Sequence, residues 1–197
     1  MAVERAILVV EPDATHRAVL RATLAGNGIR VVGEANDSEE AMRQAAMTSP
    51  DVAIVAADLG QGDGIHLAGR LATEHGIPAV LLTSAPDPAA IARAIQAGMM
   101  GILVKPVEPA TLRAMVEVAV CRFQEILALR REAEALQRTL EARKVIERAK
   151  GLLVEMERIS EEEAFARIRQ KSMDTGRPMA EIARAIILAA EVSGRVR

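Results

Sequence analysis

Over its first half the chain alternates short apolar runs with stretches of helical periodicity. Residues 6–10 (AILVV), 30–34, 52–57, 79–83 and 101–104 are short and rich in Val, Ile and Leu, and turn residues bound them, so they predict strands. Between them, residues 16–26, 38–48, 65–75 and 88–97 space apolar positions three and four apart. Gly26 and Gly28, Gly76 and Gly98 stop three of these helices. Ser38 is the expected N-cap of the second. Apolar strands separated by helices predict a parallel sheet covered on both faces. Five such units predict a doubly wound α/β domain, whose ligands sit at the carboxyl ends of the strands.

From about residue 111 the pattern changes. No Gly or Pro occurs between Pro109 and Gly151, and Ala, Leu, Glu and Arg dominate, which predicts one long helix. Within it Ile126, Leu129, Ala133, Leu136 and Leu140 step alternately by three and four residues. That is a heptad seam, flanked by Arg130, Arg131, Glu132 and Arg138. A short coiled coil is expected, and a parallel homodimer is its simplest use. The other disposition packs the stripe on the α/β domain or on the last helices. Ser160 and Glu163 form a capping-box pattern that opens a helix to about residue 173. A turn at 174–176 and Pro178 then lead into a last helix at 179–192. The expected organisation is an α/β domain (1–122), a coiled-coil linker helix (123–142) and an all-α three-helix domain (143–197).

Composition narrows the chemistry. Half of the 197 residues are hydrophobic, yet there are two Phe and no Trp or Tyr. The core must be aliphatic, and only Phe123 and Phe165 could stack on a base. Phe165 is expected inside the helical core, with Val145, Leu152, Met156, Ala164, Ile168, Met179, Ile182, Ala183 and Ile186. The net charge is −2, but from Arg143 onward twelve basic residues face nine acidic ones, a local excess of +3. Any attraction for nucleic acid must therefore be local. One cysteine, Cys121, excludes an internal disulfide and a multi-thiolate zinc site. With no secretory pattern at the start and no bilayer-length apolar run, a reducing cytoplasm is the expected compartment and no membrane partner is expected. No glycine-rich loop follows the first strand, and His16, His66 and His75 join no Ser/Cys–His–acid arrangement, so an enzyme is not expected.

The segments ILVVEPD (7–13), PDVAIVAADLGQGDG (50–64), LLTS (81–84) and LVKP (103–106), in this order and spacing, resemble the receiver domain of two-component response regulators. That resemblance implies a flavodoxin-like fold, a histidine kinase or other protein sensor as partner, and Mg²⁺ held by acidic residues after the first strand. It also implies a phosphoryl-accepting Asp at the end of the third strand. Thr83 and Lys105 fall where the family contacts the phosphoryl oxygens. Glu11 fills the first acidic position, Pro12 the second, and Asp13 follows as the other candidate ligand. An ungapped reading puts Ala56 at the phosphoacceptor position, and a methyl group cannot accept phosphate. Asp58, two residues on, is the alternative acceptor. Ile102 stands where an aromatic switch residue is usual. Without phosphate, Lys105 reads as a counter-charge to Glu11.

The segments IERAKGLLVEM (146–156), SEEEAFARIRQKSM (160–173) and GRPMAEIA (176–183) resemble the ANTAR domain, the RNA-binding module of AmiR- and NasR-type antiterminators. Pro178 departs from the pattern at a usually basic or polar position. The resemblance implies that two such domains bind a pair of RNA hairpins and prevent a transcription terminator from forming. Lys150, Arg169 and Arg177 match the motif and are the first candidates for RNA contact; Arg143, Lys144 and Arg148 join them on neighbouring faces. A DNA-binding response regulator and a protein-interaction adaptor are the competing readings, the first lacking any helix–turn–helix text after the receiver.

Overall fold

The structure, a computed structural model, describes residues 4–25, 28–60, 62–85 and 87–192. The elements run β1 (Arg5–Val10), α1 (Ala14–Leu24), β2 (Ile29–Ala35), α2 (Ser38–Thr48), β3 (Val52–Ala56) and α3 (Gly64–Arg70). After α3 a π-helical turn spans Leu71–His75. Then come β4 (Ala79–Thr83), α4 (Pro88–Gln96), β5 (Gly101–Val104), α5 (Pro109–Glu157), α6 (Glu161–Thr175) and α7 (Met179–Val192). The chain divides into two compact units, Met1–Leu127 and Ala128–Arg197.

The first unit is a five-stranded parallel sheet in the order β2-β1-β3-β4-β5. Successive side chains of a strand point to opposite faces, so each apolar strand feeds two cores. Ile7, Val9, Ile54, Val80 and Leu82 pack with Leu20 and Leu24 of α1 and with Leu112, Val116 and Val120 of α5. Leu8, Val10, Ala53 and Val55 pack with Ala41 and Ala45 of α2 and with Leu67, Ala68 and Leu71. This is the doubly wound fold that the apolar strands predict. One cap differs. Asp37, not Ser38, caps α2, its carboxylate accepting from Glu40 N at 2.8 Å. The helix stop expected at Gly26 lies outside the described residues.

Helix α5 is 49 residues long, as the absence of Gly and Pro predicts. Its last part joins α6 and α7 around Ala149, Leu152, Leu153, Ala164, Ile168, Ala183, Ile187 and Ala190. Ala149, Ala164 and Ala183 are fully buried. Such small residues let helices approach closely. Ser160 caps α6 by accepting from Glu163 N at 3.1 Å, while the Glu163 carboxylate turns to Arg167 instead of closing the box. Gly176 ends α6 in the left-handed conformation at φ 67°, which only glycine adopts without cost.

Candidate functional sites

The first candidate site lies at the carboxyl ends of β1, β3, β4 and β5. A cleft of about 240 Å³ is lined by Ala56, Ala57, Asp58, Leu82, Thr83, Ser84, Ala85 and Lys105. Ala56 sits at the end of β3 opposite Leu82 and is buried. Its carbonyl is held close by the next helix: a Cβ on Gly64 would lie 2.0 Å from Ala56 O. Asp58 is exposed in the following loop, where its carboxylate accepts from Gly60 N at 2.8 Å. Asp63 caps α3 through Ile65 N and pairs with Arg93 at 2.6 Å.

Glu11, 3% exposed, is the one buried charged residue among those described. Burying a carboxylate demands a partner. Lys105 supplies it, Nζ standing 2.5 Å from Glu11 Oε2. Asp13 N donates to Glu11 Oε1 at 3.3 Å, and Arg17 donates to the Glu11 carbonyl at 2.6 Å. Arg17 also reaches Glu34 at the end of β2. Asp13 itself caps α1. His16 N donates to its carboxylate at 2.8 Å, and this bond, ahead of the His16 charge, holds Asp13 below the usual carboxylate range. The Thr83 hydroxyl is engaged within its own loop, with Ala85.

Receiver domains as a family use Mg²⁺ here, but this donor set does not fit it. Magnesium takes hard, charged oxygen ligands. Of the family's positions, one is a proline and one an alanine. The Glu11 carboxylate faces Lys105, and that of Asp13 faces a helix N-terminus. Among the described residues no group of three or more His, Cys, Asp or Glu side chains is placed to hold a metal ion.

The second candidate site is the surface of the helical unit. Its cations divide into two sets. Lys150 lies among its expected neighbours but is spent on carboxylates, Glu147 at 2.9 Å and Glu161 at 3.3 Å. Those bonds, the Glu147 one foremost, raise its pKa. Lys144 pairs with Glu141, Arg148 with Glu191, and Arg167 with Glu157 and Glu163. Arg143, Arg158, Arg169, Lys171, Arg177 and Arg184, by contrast, are exposed and have no carboxylate within 4.0 Å among the described residues. Arg195 and Arg197 lie outside the described residues.

Phe165 is not in the core. It is 42% exposed, because Ala164 and Ile168 already fill the inward face of α6 and Phe165 falls at its edge. Helical spacing places Phe165 next to that face but cannot say which side of the boundary it takes. The seam residues Leu129, Leu136 and Leu140 are 65%, 60% and 60% exposed. Within their own unit they belong to no buried cluster among the described residues. No described helix is long and apolar enough to cross a membrane.

The description "Response regulator receiver domain" matches residues 7–117 and "ANTAR domain" matches residues 134–187. A transcriptional regulatory protein of Mycobacterium tuberculosis, PdtaR, is 38% identical over 186 residues, covering 94% of this chain and 91% of that protein. The KDP operon transcriptional regulatory protein KdpE of Escherichia coli is 32% identical over 62% of this chain and 54% of its own. Among solved structures, the signal receiver domain of a modulated diguanylate cyclase from Desulfovibrio desulfuricans G20 aligns with a TM-score of 0.57. It is 35% identical and covers 61% of this chain and 96% of that one. The pairing of a receiver with an ANTAR domain points to a regulatory response regulator. An α/β unit of receiver topology followed in sequence by an aliphatic three-helix unit, both within the stretch that PdtaR matches, places the chain in the response regulator family, as a receiver domain followed by an ANTAR domain.

Proposed function

We propose that this response regulator binds RNA hairpins through its ANTAR domain and thereby prevents transcription termination, acting as a homodimer joined along the α5 seam. The observation that carries this reading is the set of exposed cations without carboxylate partners, Arg143, Arg158, Arg169, Lys171, Arg177 and Arg184, within a region that carries a local positive excess. A cation held by a neighbouring carboxylate has little to offer a phosphate; an unpaired guanidinium keeps its forked donors available. Arg169, Arg177 and Arg143 are therefore the first contacts. Lys150, Lys144 and Arg148 contribute by positioning the helices and bind phosphate only if RNA displaces their present partners. Exposed leucines at heptad spacing fit a second copy of the same helix.

On the input side, the receiver works without an aspartyl phosphate. Ala56 offers no carboxylate, and Glu11 occupies Lys105. A protein sensor that docks on the receiver is the partner this favours. A histidine kinase could act only through Asp58, a second reading supported by its place in the same cleft as Thr83 and Lys105.

The test is binding to a pool of hairpin RNAs that share one stem and carry randomised loops, with duplex DNA as the competitor. Enrichment of hairpins, with log K falling linearly in log salt, supports phosphate contact. Equal binding of duplex DNA favours the DNA reading, and no binding of either favours a protein adaptor.

A further inference from the structure

On α6, Phe165, Arg169 and Met173 follow one another at four-residue steps and share one outward stripe. Phe165 is 42% and Met173 68% exposed. The stripe ends at Gly176, where the chain turns and Arg177 comes alongside: Ser172 Oγ donates to the Arg177 carbonyl at 2.5 Å. Ser172 itself lies three residues beyond Arg169, on the same side. An aromatic ring is thus followed along one side of the helix by Arg169, one turn on, and by Arg177 past the helix end, neither with a carboxylate within 4.0 Å among the described residues. The chain has only one other aromatic residue, Phe123, which is buried in the first unit.

Leaving its one available aromatic side chain in water costs the helical unit apolar burial. The neighbours of that ring indicate what could cover it. A second copy of α6 would set Arg169 and Arg177 against their own kind. An unpaired nucleobase offers a π-face to the ring and, through its backbone, phosphates to the two arginines. We propose that Phe165 stacks on an unpaired base of the bound RNA loop, with Arg169, one turn further along α6, holding a phosphate next to that base and Arg177 one further along the same strand. This inference rests on the RNA reading above and makes it specific: the ligand is a loop with a splayed-out base, and a paired stem is not enough.

The experiment uses the full chain and the hairpin enriched from the randomised-loop pool. A blunt duplex of the same stem is the control, and Phe165→Ala, Phe165→Leu, Phe165→Tyr and Arg169→Ala are the variants. Thermal melting confirms that each is folded. Loss of one stacked base lowers hairpin affinity about 5- to 100-fold in Phe165→Ala. Phe165→Leu, which keeps apolar bulk but has no π-face, falls with it, and Phe165→Tyr stays within about threefold of wild type. None of these changes the salt slope, because none removes a charge. Arg169→Ala lowers that slope by about 0.7–0.9, the signature of one phosphate contact. Wild-type affinity in Phe165→Ala or in Phe165→Leu overturns the stacking role while leaving hairpin binding intact. Failure of the wild-type chain to prefer the hairpin over its blunt duplex overturns loop recognition. Failure to bind any RNA removes the RNA reading itself.

Discussion

Glu11 and Lys105, 94 residues apart in sequence, meet at 2.5 Å at the head of the sheet. The carboxylate side chain is 4% exposed and the lysine side chain 21%. The pair sits where the receiver family handles a phosphoryl group, and here it satisfies itself. Removing one partner from a buried pair strands the other's charge. Lys105→Met should therefore destabilise the receiver by about 3 kcal/mol, and Glu11→Gln/Lys105→Met should recover most of that loss. Urea denaturation of the two variants reads both values. A Lys105→Met protein as stable as wild type would show that the pair is dispensable.

The same pairing predicts chemical silence. Incubation with a small phosphodonor and Mg²⁺ should leave the intact mass of the protein unchanged, since Ala56 has no acceptor oxygen and the acidic pair is incomplete. A mass gain that Asp58→Ala abolishes would instead establish Asp58 as the acceptor.

Gly64 predicts a steric limit on restoring the site. A Cβ there would come within 2.0 Å of Ala56 O, a backbone atom that cannot move aside. Gly64→Ala should cost at least about 2 kcal/mol by forcing the β3–α3 loop away from the strand end. By comparison, Gly151→Ala faces open space and should be neutral or stabilising by up to about 1 kcal/mol, as expected for an exposed helix interior. Parallel melting curves compare the two.

Much of this was legible in the sequence, and the exceptions have physical causes. Strands β4 and β5 fall on the residues that the apolar runs predict; β4 is buried on both faces and leaves no polar position to blur its ends, while Gly101 and Lys105-Pro106 bound β5 at the sheet edge. Helix α7 likewise spans the residues predicted for it. The cap of α2 moved from Ser38 to Asp37 because two adjacent side chains can both cap, and only backbone geometry decides between them. Pairing of Lys150 with Glu161 depends on how α6 folds back, which periodicity along α5 does not encode. Phe165 was misplaced for a related reason: spacing locates the edge of an apolar face, and the volume already filled by Ala164 and Ile168 decides what stays outside.

Acid should weaken the receiver through Glu117. Arg5 donates to it through Nε and through a second nitrogen at 2.7 Å, and this bond holds the Glu117 carboxyl below its usual range. The folded chain therefore binds that proton less readily than the unfolded chain. The pair stabilises at neutral pH, and its contribution disappears as pH falls through the carboxylate range toward the depressed folded value. Since the Glu117 side chain is 43% exposed, water screens the effect to about 1 kcal/mol at most. The stability gap between wild type and Glu117→Gln, measured by urea unfolding, should be present at neutral pH and shrink as pH falls below the ordinary carboxylate range. A gap that does not change with pH would mean that the pair carries no linkage.

The seam of α5 gives the sharpest separation between fold and assembly. Leu129 and Leu136 are exposed, so replacing both with Asp removes nothing from the core of a single chain. Surface changes of this kind alter stability within about 0.5 kcal/mol each. In a dimer the same positions would bury four carboxylates against one another, which no coiled coil of about three heptads can absorb. Leu129→Asp/Leu136→Asp should therefore sediment as a monomer while keeping the wild-type melting profile of its receiver. Its affinity for a tandem pair of hairpins should drop by about 10²-fold or more, because two linked domains grip such an RNA far more tightly than either alone. Its affinity for one isolated hairpin should change little. A variant that still sediments as a dimer would move the dimer interface elsewhere on the chain, and a monomer with undiminished affinity for tandem hairpins would mean that one domain suffices.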